Sequence, residues 1–228
     1  VVSVVPEGEA GRLFLRYPVV RLINERPWKD YIYRREDLAE FAGRHYSGQR
    51  NHIHKFRKLY PDAEYVPLTA ADEPLLERFW QDYGAEFSKE SAIAKNELRL
   101  AKEMLRHLAG DWFMAGGLLH EGRLVAISMG EQCGSTMQVH IEKALYSYPG
   151  AYPTMVQEFA RHCDDSVRWM NREDDARDKG LRMSKMQYLP AALGGKLCFE
   201  VGSELDRLHE ISTLHSDRLT LDALTEKD

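Results

Sequence analysis

Between Trp112 and Ala144 the apolar residues stop recurring at helical spacing and alternate instead, through three successive segments. These are Trp112–Leu119, Arg123–Glu131 and Thr136–Ala144, with Glu121-Gly122 and Cys133-Gly134-Ser135 as the intervening turns. The pattern then changes again. A helix is expected at about 152–163, a short strand at Val167–Asn171, a helix over Gly180–Tyr188 and a strand at Leu197–Val201. A meander that feeds a β-α-β-α-β run predicts an α/β (α+β) chain built on a mixed sheet flanked by helices, and argues against a doubly wound dinucleotide fold. Neither Gly-x-Gly-x-x-Gly nor Gly-x-x-x-x-Gly-Lys-Ser/Thr occurs, so nicotinamide and nucleoside-triphosphate readings lose their usual support.

Upstream of the meander the elements are shorter. Val1–Val5 reads as a strand, Pro6–Gly11 as a turn and Arg12–Tyr17 as a hairpin partner, followed by β-prone Val19–Ile23 and a turn at Asn24–Trp28. Tyr31–Tyr33 is short and aromatic, and Glu36–Phe41 is a helix that Gly43 ends. Residues 48–60 form the most basic helix, with Ile53, Phe56 and Tyr60 on one face and Arg50, His54, Arg57 and Lys58 around the rest. A strand is expected at Glu64–Leu68, a capped helix from Thr69 to about Tyr83, and an amphipathic helix over Lys89–Leu108. The stretch beyond about residue 202 is charged and weakly patterned.

Composition narrows the function classes. The 228 residues are 43% apolar and 29% charged with a formal charge of −5, which excludes collagen-like and fully disordered chains. With the whole chain acidic, the basic helix is a local phosphate-contacting patch, not a surface for double-stranded DNA. No apolar run approaches the roughly 20 residues of a membrane helix. Three cysteines without metal-ligand or disulfide spacing fit a reducing compartment, and the expected location is cytoplasmic. The nine histidines are scattered and His-Glu-x-x-His is absent, so no metal is expected. The opening Val-Val-Ser-Val-Val, without methionine, points to missing N-terminal sequence.

Chemistry-bearing residues concentrate on the third meander strand and after it. Strict alternation puts Met137, Val139 and Ile141 on one face and Gln138, His140 and Glu142 on the other. On a central strand such polar residues need partners or a ligand, and His140 with Glu142 could orient an attacking amine and take its proton. The alternative is an ordinary sheet face linked by side-chain hydrogen bonds. The turn Ser147-Tyr148-Pro149-Gly150-Ala151 leads into a helix whose N–H groups suit phosphate or carboxylate, although many strand-to-helix turns contain glycine. Asn171-Arg172-Glu173-Asp174-Asp175 leaves the carboxyl end of a strand, where open α/β sheets bind ligands; a solvated loop capping the next helix is the alternative. Lys185 and Tyr188 lie on that helix.

Taken together, several segments match one family. They are Ser47-Gly48-Gln49-Arg50-Asn51-His52-Ile53-His54-Lys55-Phe56, Gly117-Leu118-Leu119, Val139-His140-Ile141-Glu142-Lys143-Ala144, Gly150-Ala151-Tyr152, Asn171-Arg172-Glu173-Asp174-Asp175, Gly180-Leu181-Arg182, Lys185 and Tyr188-Leu189-Pro190. From about residue 30 to 201 the sequence resembles the phosphatidylglycerol lysyltransferase C-terminal-like family of the GNAT acyltransferase superfamily. The resemblance implies tandem GNAT-like lobes, a partial first one over residues 1–66 and a second over 67–202, with a charged tail or helix at 203–228.

It also implies transfer of an acyl or aminoacyl group from coenzyme A or aminoacyl-tRNA to an amine or hydroxyl of a small molecule or peptide. By the resemblance His140 and Glu142 are the catalytic candidates. Arg50, Asn51, Asn171, Arg172, Glu173, Asp174, Lys185 and Tyr188 would bind substrate, and Ser147, Gly150, Ala151 and Tyr152 would occupy the pyrophosphate turn beside the strand that splays for the donor. The superfamily's Arg/Gln-x-x-Gly-x-Gly/Ala signature is not met there, since Ser147 and Tyr152 hold its first and last positions. Two other expectations stand beside transfer from a carrier: a catalytically silent GNAT-like binding or scaffold module, and a coenzyme A-dependent N-acetyltransferase.

Overall fold

The computed structural model describes residues 2–15, 19–23, 26–86, 92–106, 112–201, 214–215 and 220–221. The chain divides into two compact units, one of Val1–Asp30, Asp174–Arg182 and Leu193–Asp228, the other of Tyr31–Glu173 and Met183–Ala192. The smaller unit takes residues from both ends of the chain and from an internal segment.

The smaller unit holds β1 (Val2–Pro6), α1 (Glu7–Phe14) and β2 (Val19–Ile23). Its three-stranded antiparallel sheet places β10 (Lys196–Val201) between β1 and β2. Two expectations are corrected here. Glu7–Gly11 and Arg12–Phe14 are not turn and strand but one helix, with Glu7 and Glu9 favourably placed in its positive first turn. Ala10 and Leu13, three apart, face the core formed by Val5, Leu197 and Phe199. The strand at 196–201, expected to extend the meander sheet, pairs instead with β1 and β2, because Leu197 and Phe199 alternate toward that small core. Tyr17 and most of the charged tail lie outside the described residues.

The larger unit is built from β3 (Asp30–Arg34), α2 (Arg35–Glu40), α3 (Ser47–Leu59), β4 (Glu64–Pro67), α4 (Glu73–Glu86) and α5 (Ala92–Arg106). It continues with β5 (Phe113–His120), β6 (Arg123–Cys133), β7 (Thr136–Ala144), α6 (Ala151–His162) and β8 (Trp169–Asn171), while α7 (Lys179–Met186) and β9 (Ala192–Gly194) each have residues in both units. The strand order is β4-β5-β6-β7-β8-β3, with β9 last. β4 to β7 run antiparallel in the expected meander, β7 and β8 are parallel, and β8 and β3 antiparallel. This is a mixed α/β fold with a central mixed sheet flanked by helices.

Helices cover both faces of that sheet. On one, α6 buries Ala151, Met155 and Phe159 at four-residue intervals against Val125, Met137 and Val139, with Ile53 and Phe56 of α3 beside them. On the other, Leu76, Phe79 and Trp80 of α4 and Ala101 and Leu105 of α5 cover Ile127, Met129 and Ile141. A capping box between Thr69 and Asp72 precedes α4. The basic residues of α3 fall on its outer side, because Ile53 and Phe56 alone turn its apolar stripe inward.

Candidate functional site

The geometry of the site begins with one extra residue. Along β6 and β7 the pairing runs Gly130↔Val139 and then Met129↔Ile141, so His140 has no partner and the strand bulges there. Gly130 permits this, since a Cβ at that position would lie 2.3 Å from the Gln138 carbonyl oxygen. The bulge reverses the alternation. Met137 and Val139 join the α6-side core, Ile141 joins the opposite core, and Ala144 returns to the α6 side. The expectation that Met137, Val139 and Ile141 share a face is therefore corrected, and His140 and Glu142 acquire different surroundings.

His140 sits on the α5 side, at a cavity of about 500 Å³ lined by Leu100, Met104, Phe113, Ile141, Glu131 and Glu173. Its Nδ1 lies 2.8 Å from Glu173 Oε1 and its Nε2 lies 3.5 Å from Glu131 Oε1. The hydrogen bond to Glu173, reinforced by the charges of both carboxylates against partial burial, raises the imidazole above its ordinary pKa. Glu173 is itself held in a left-handed backbone conformation, φ 56°. The Asn171 side-chain oxygen accepts its N–H at 2.9 Å, and its carbonyl accepts the Tyr31 N–H at 3.1 Å and Lys185 Nζ at 3.2 Å. Lys185 Nζ also donates to the Arg172 carbonyl. Asn171 and Lys185 thus position the loop that presents Glu173 to His140.

Glu142 points to the α6 side, into a buried polar cluster. Its Oε2 accepts Arg172 Nε at 3.0 Å, Arg172 Nη2 and the Tyr152 hydroxyl at 2.8 Å, while Tyr152 accepts from Arg172 Nη2 at 2.8 Å. The guanidinium lies 4.5 Å from the ring centre of Tyr188, 5.3 Å from Tyr33 and 5.8 Å from Tyr152. Burial, then the Glu142 charge, pushes the Tyr152 phenol far above its usual pKa. Arg172 and Tyr152 thus pair directly with Glu142, and the Tyr188 ring packs on the Arg172 guanidinium.

The remaining expected residues scatter. Arg50 Nη1 donates to the Phe41 carbonyl and, at 2.6 Å, to that of Gly43, clamping the turn before α3. Asn51 is exposed on α3. Asp174 belongs to the smaller unit, where its carboxylate accepts Lys196 Nζ at 2.9 Å.

Gly150 caps α6 at φ 91°, with a hypothetical Cβ 2.3 Å from the His52 carbonyl oxygen, and the buried Ala151 donates its N–H to the Tyr148 carbonyl at 3.0 Å. The N–H groups of Tyr146 and Ser147 donate to the Glu86 carboxylate, at 2.5 and 3.1 Å. Of the four residues expected in the pyrophosphate turn, Ser147 thus has its N–H satisfied by an acidic side chain and Ala151 by a backbone carbonyl.

Glu131, Tyr33 and Glu86 are not among the residues the sequence singles out. The one local signal for Glu131 is Gly130, a glycine inside a strand, which marks a bulge. Nothing local announces Glu86, which reaches the turn from the end of α4.

Three solved structures illustrate the likeness. A conserved protein of unknown function from Bacteroides thetaiotaomicron is 31% identical, with a TM-score of 0.73 over 86% of this chain and 68% of that one. The C-terminal domain (DUF2156) of a protein from Agrobacterium fabrum named for lysylphosphatidylglycerol synthetase has a TM-score of 0.62 at 9% identity, over 90% of this chain and 68% of that one. An acetyltransferase from Thermus thermophilus is more distant, at a TM-score of 0.44 and 16% identity over 60% of this chain and 97% of that one. No curated protein matches the sequence. Residues 9–198 match the family described as phosphatidylglycerol lysyltransferase, C-terminal, and the chain belongs to that family.

Proposed function

We propose that the larger unit is an acyltransferase that moves an acyl or aminoacyl group from a carrier to the amine or hydroxyl of a small molecule or peptide. One observation carries this reading: His140, clamped between Glu173 and Glu131, opens on an apolar cavity on the strand whose parallel pairing with β8 stops at Gln138↔Asn171. A strand ladder that ends beside a proton-handling group is what an acceptor attacking a carrier-bound ester needs. An imidazole whose two ring nitrogens face carboxylates is oriented to take up and pass on a proton. In its neutral form it takes the proton of the attacking amine or hydroxyl as the new bond to the acyl carbon forms. It returns that proton to the carrier oxygen or sulfur as the old bond breaks. Backbone N–H groups at the end of the β7–β8 ladder would hold the transient oxyanion.

The favoured carrier is aminoacyl-tRNA, consistent with a cytoplasmic site, since the turn at 146–147 suits coenzyme A poorly. Among the described residues no helix is long and apolar enough to cross a membrane. The test is turnover with a mixed aminoacyl-tRNA pool and, separately, acetyl-coenzyme A, against panels of amines. H140A and E173Q should each lower turnover by about a hundredfold or more. Unchanged turnover in both variants would remove the assignment. The second reading, a silent binding or scaffold module, is favoured by Glu86 filling the donor turn. It predicts no turnover and no donor affinity in the wild-type chain.

A further inference from the structure

Away from that cavity, the pairing of β4 with β5 sets Glu64 against Leu119, which brings the turn after α3 to the tip of the β5–β6 hairpin. Three ligating side chains converge there: Asp62 from the first turn, His120 and Glu121 from the second. One ligand atom from each lies within 4.8 Å of the others. His120 Nδ1 is buried without a hydrogen-bond partner and stands 3.7 Å from Asp62 Oδ2, beyond hydrogen-bond reach. The imidazole ring is fixed edge-on by Tyr60, at 5.1 Å, and by Tyr148, at 6.0 Å. Its side chain is 12% exposed, whereas that of Asp62 is 66% exposed and free to adjust.

We propose that Asp62, His120 and Glu121 bind a divalent transition-metal ion of the zinc type. A buried polar nitrogen without a partner carries a desolvation cost that a metal ion would offset. Two carboxylates brought together beside it supply the negative charge that such an ion needs. One imidazole nitrogen with two carboxylate oxygens is a donor set for zinc, cobalt or nickel, not for magnesium or calcium, which take oxygen alone. Metal–ligand lengths of about 2.0–2.2 Å place ligand atoms roughly 3–4 Å apart, so small rotations of the two turn carboxylates close the site around the fixed ring. The ion would tie the turn after α3 to the hairpin tip and keep at least one position open for water. Its ligands come from two turns far apart in sequence, so no spacing motif could announce it.

The test is calorimetric titration of the full chain with Zn²⁺ and, in parallel, with Mg²⁺, using the wild type, D62N, E121Q and H120Q. Saturable one-to-one Zn²⁺ binding is expected, with Mg²⁺ at least a hundredfold weaker. Each substitution should weaken Zn²⁺ by about tenfold or more, since even loss of an outer-shell partner costs 10–100-fold. Three results would each overturn the proposal: no saturable Zn²⁺ binding up to millimolar concentration, equal affinity for Mg²⁺, or undiminished affinity in D62N and E121Q. The last would place the ion on other histidines or on the exposed Cys133. D62N and E121Q change exposed turn residues, so their readout does not depend on how H120Q folds.

Discussion

The pair formed by Glu142 and Arg172 makes a prediction that separates its structural role from a catalytic one. Their side chains are 10% and 2% exposed, and Glu142 Oε2 alone takes both Arg172 donors and the Tyr152 hydroxyl. In E142Q the guanidinium stays buried among three tyrosine rings with no counter-charge. At about 3 Å and an effective dielectric near 20, the lost attraction is about 5 kcal/mol. The amide oxygen still accepts a hydrogen bond worth about 1 kcal/mol, which leaves a loss of roughly 3–5 kcal/mol, the usual cost of orphaning a buried charge. At about 2–4 °C per kcal/mol for a chain of this size, the melting temperature should fall by roughly 6–20 °C. Removing both charges in E142M/R172M should restore at least half of the loss, because neither group then needs desolvation. Urea unfolding followed by far-UV circular dichroism measures both variants. A loss under 1 kcal/mol in E142Q, or a double variant less stable than the single one, would refute the argument.

His140 supplies a pH signature. Its pKa is raised in the folded chain by Glu173 first, so the stability it contributes is fully present below the unfolded value near 6.5 and is lost as pH rises through the folded value. Imidazole NMR titration should give a midpoint above 6.5 in the wild type and a lower one in E173Q; equal midpoints would show that Glu173 does not hold the proton. Gly150→Ala, at φ 91° with its new methyl 2.3 Å from the His52 carbonyl oxygen and 3.0 Å from Phe56 Cβ, should destabilise the chain by about 2 kcal/mol or more. An unchanged melting temperature would mean that α3 and the α6 cap yield without cost.

Much of this fold is legible locally, and the particular elements show why. The third meander strand was expected at Thr136–Ala144 and lies there, because its turns carry glycine and its apolar residues alternate. The basic helix at 48–60 is α3 at Ser47–Leu59. The misread segment at 6–14 is short, and Pro6 with two glycines reads as a turn although Pro6 immediately precedes a helix. The site was less legible. Residue types alone pick out His140 and Glu173, but not that they meet 33 positions apart in sequence. The separation of Glu142 from His140 follows from a register shift between two strands, which no single strand records.

That shift makes β7 a strand with two phases. Up to Val139 the odd-numbered positions face α6, and beyond the bulge the even-numbered ones do, as Glu142 and Ala144 show, while Lys143 reaches over the Tyr83 ring on the other side. Parity, not residue identity alone, allots the glutamate to the buried cluster and the histidine to the cavity. Deleting residue 140 would rejoin the phases with Ile141 still toward α5 and Glu142 still toward α6, whereas closing the bulge with all residues kept would turn Ile141 toward α6 and Glu142 toward α5. Substitutions in β7 therefore act on one face at a time, whereas a one-residue slip of register past Gly130 exchanges the two chemistries at a stroke.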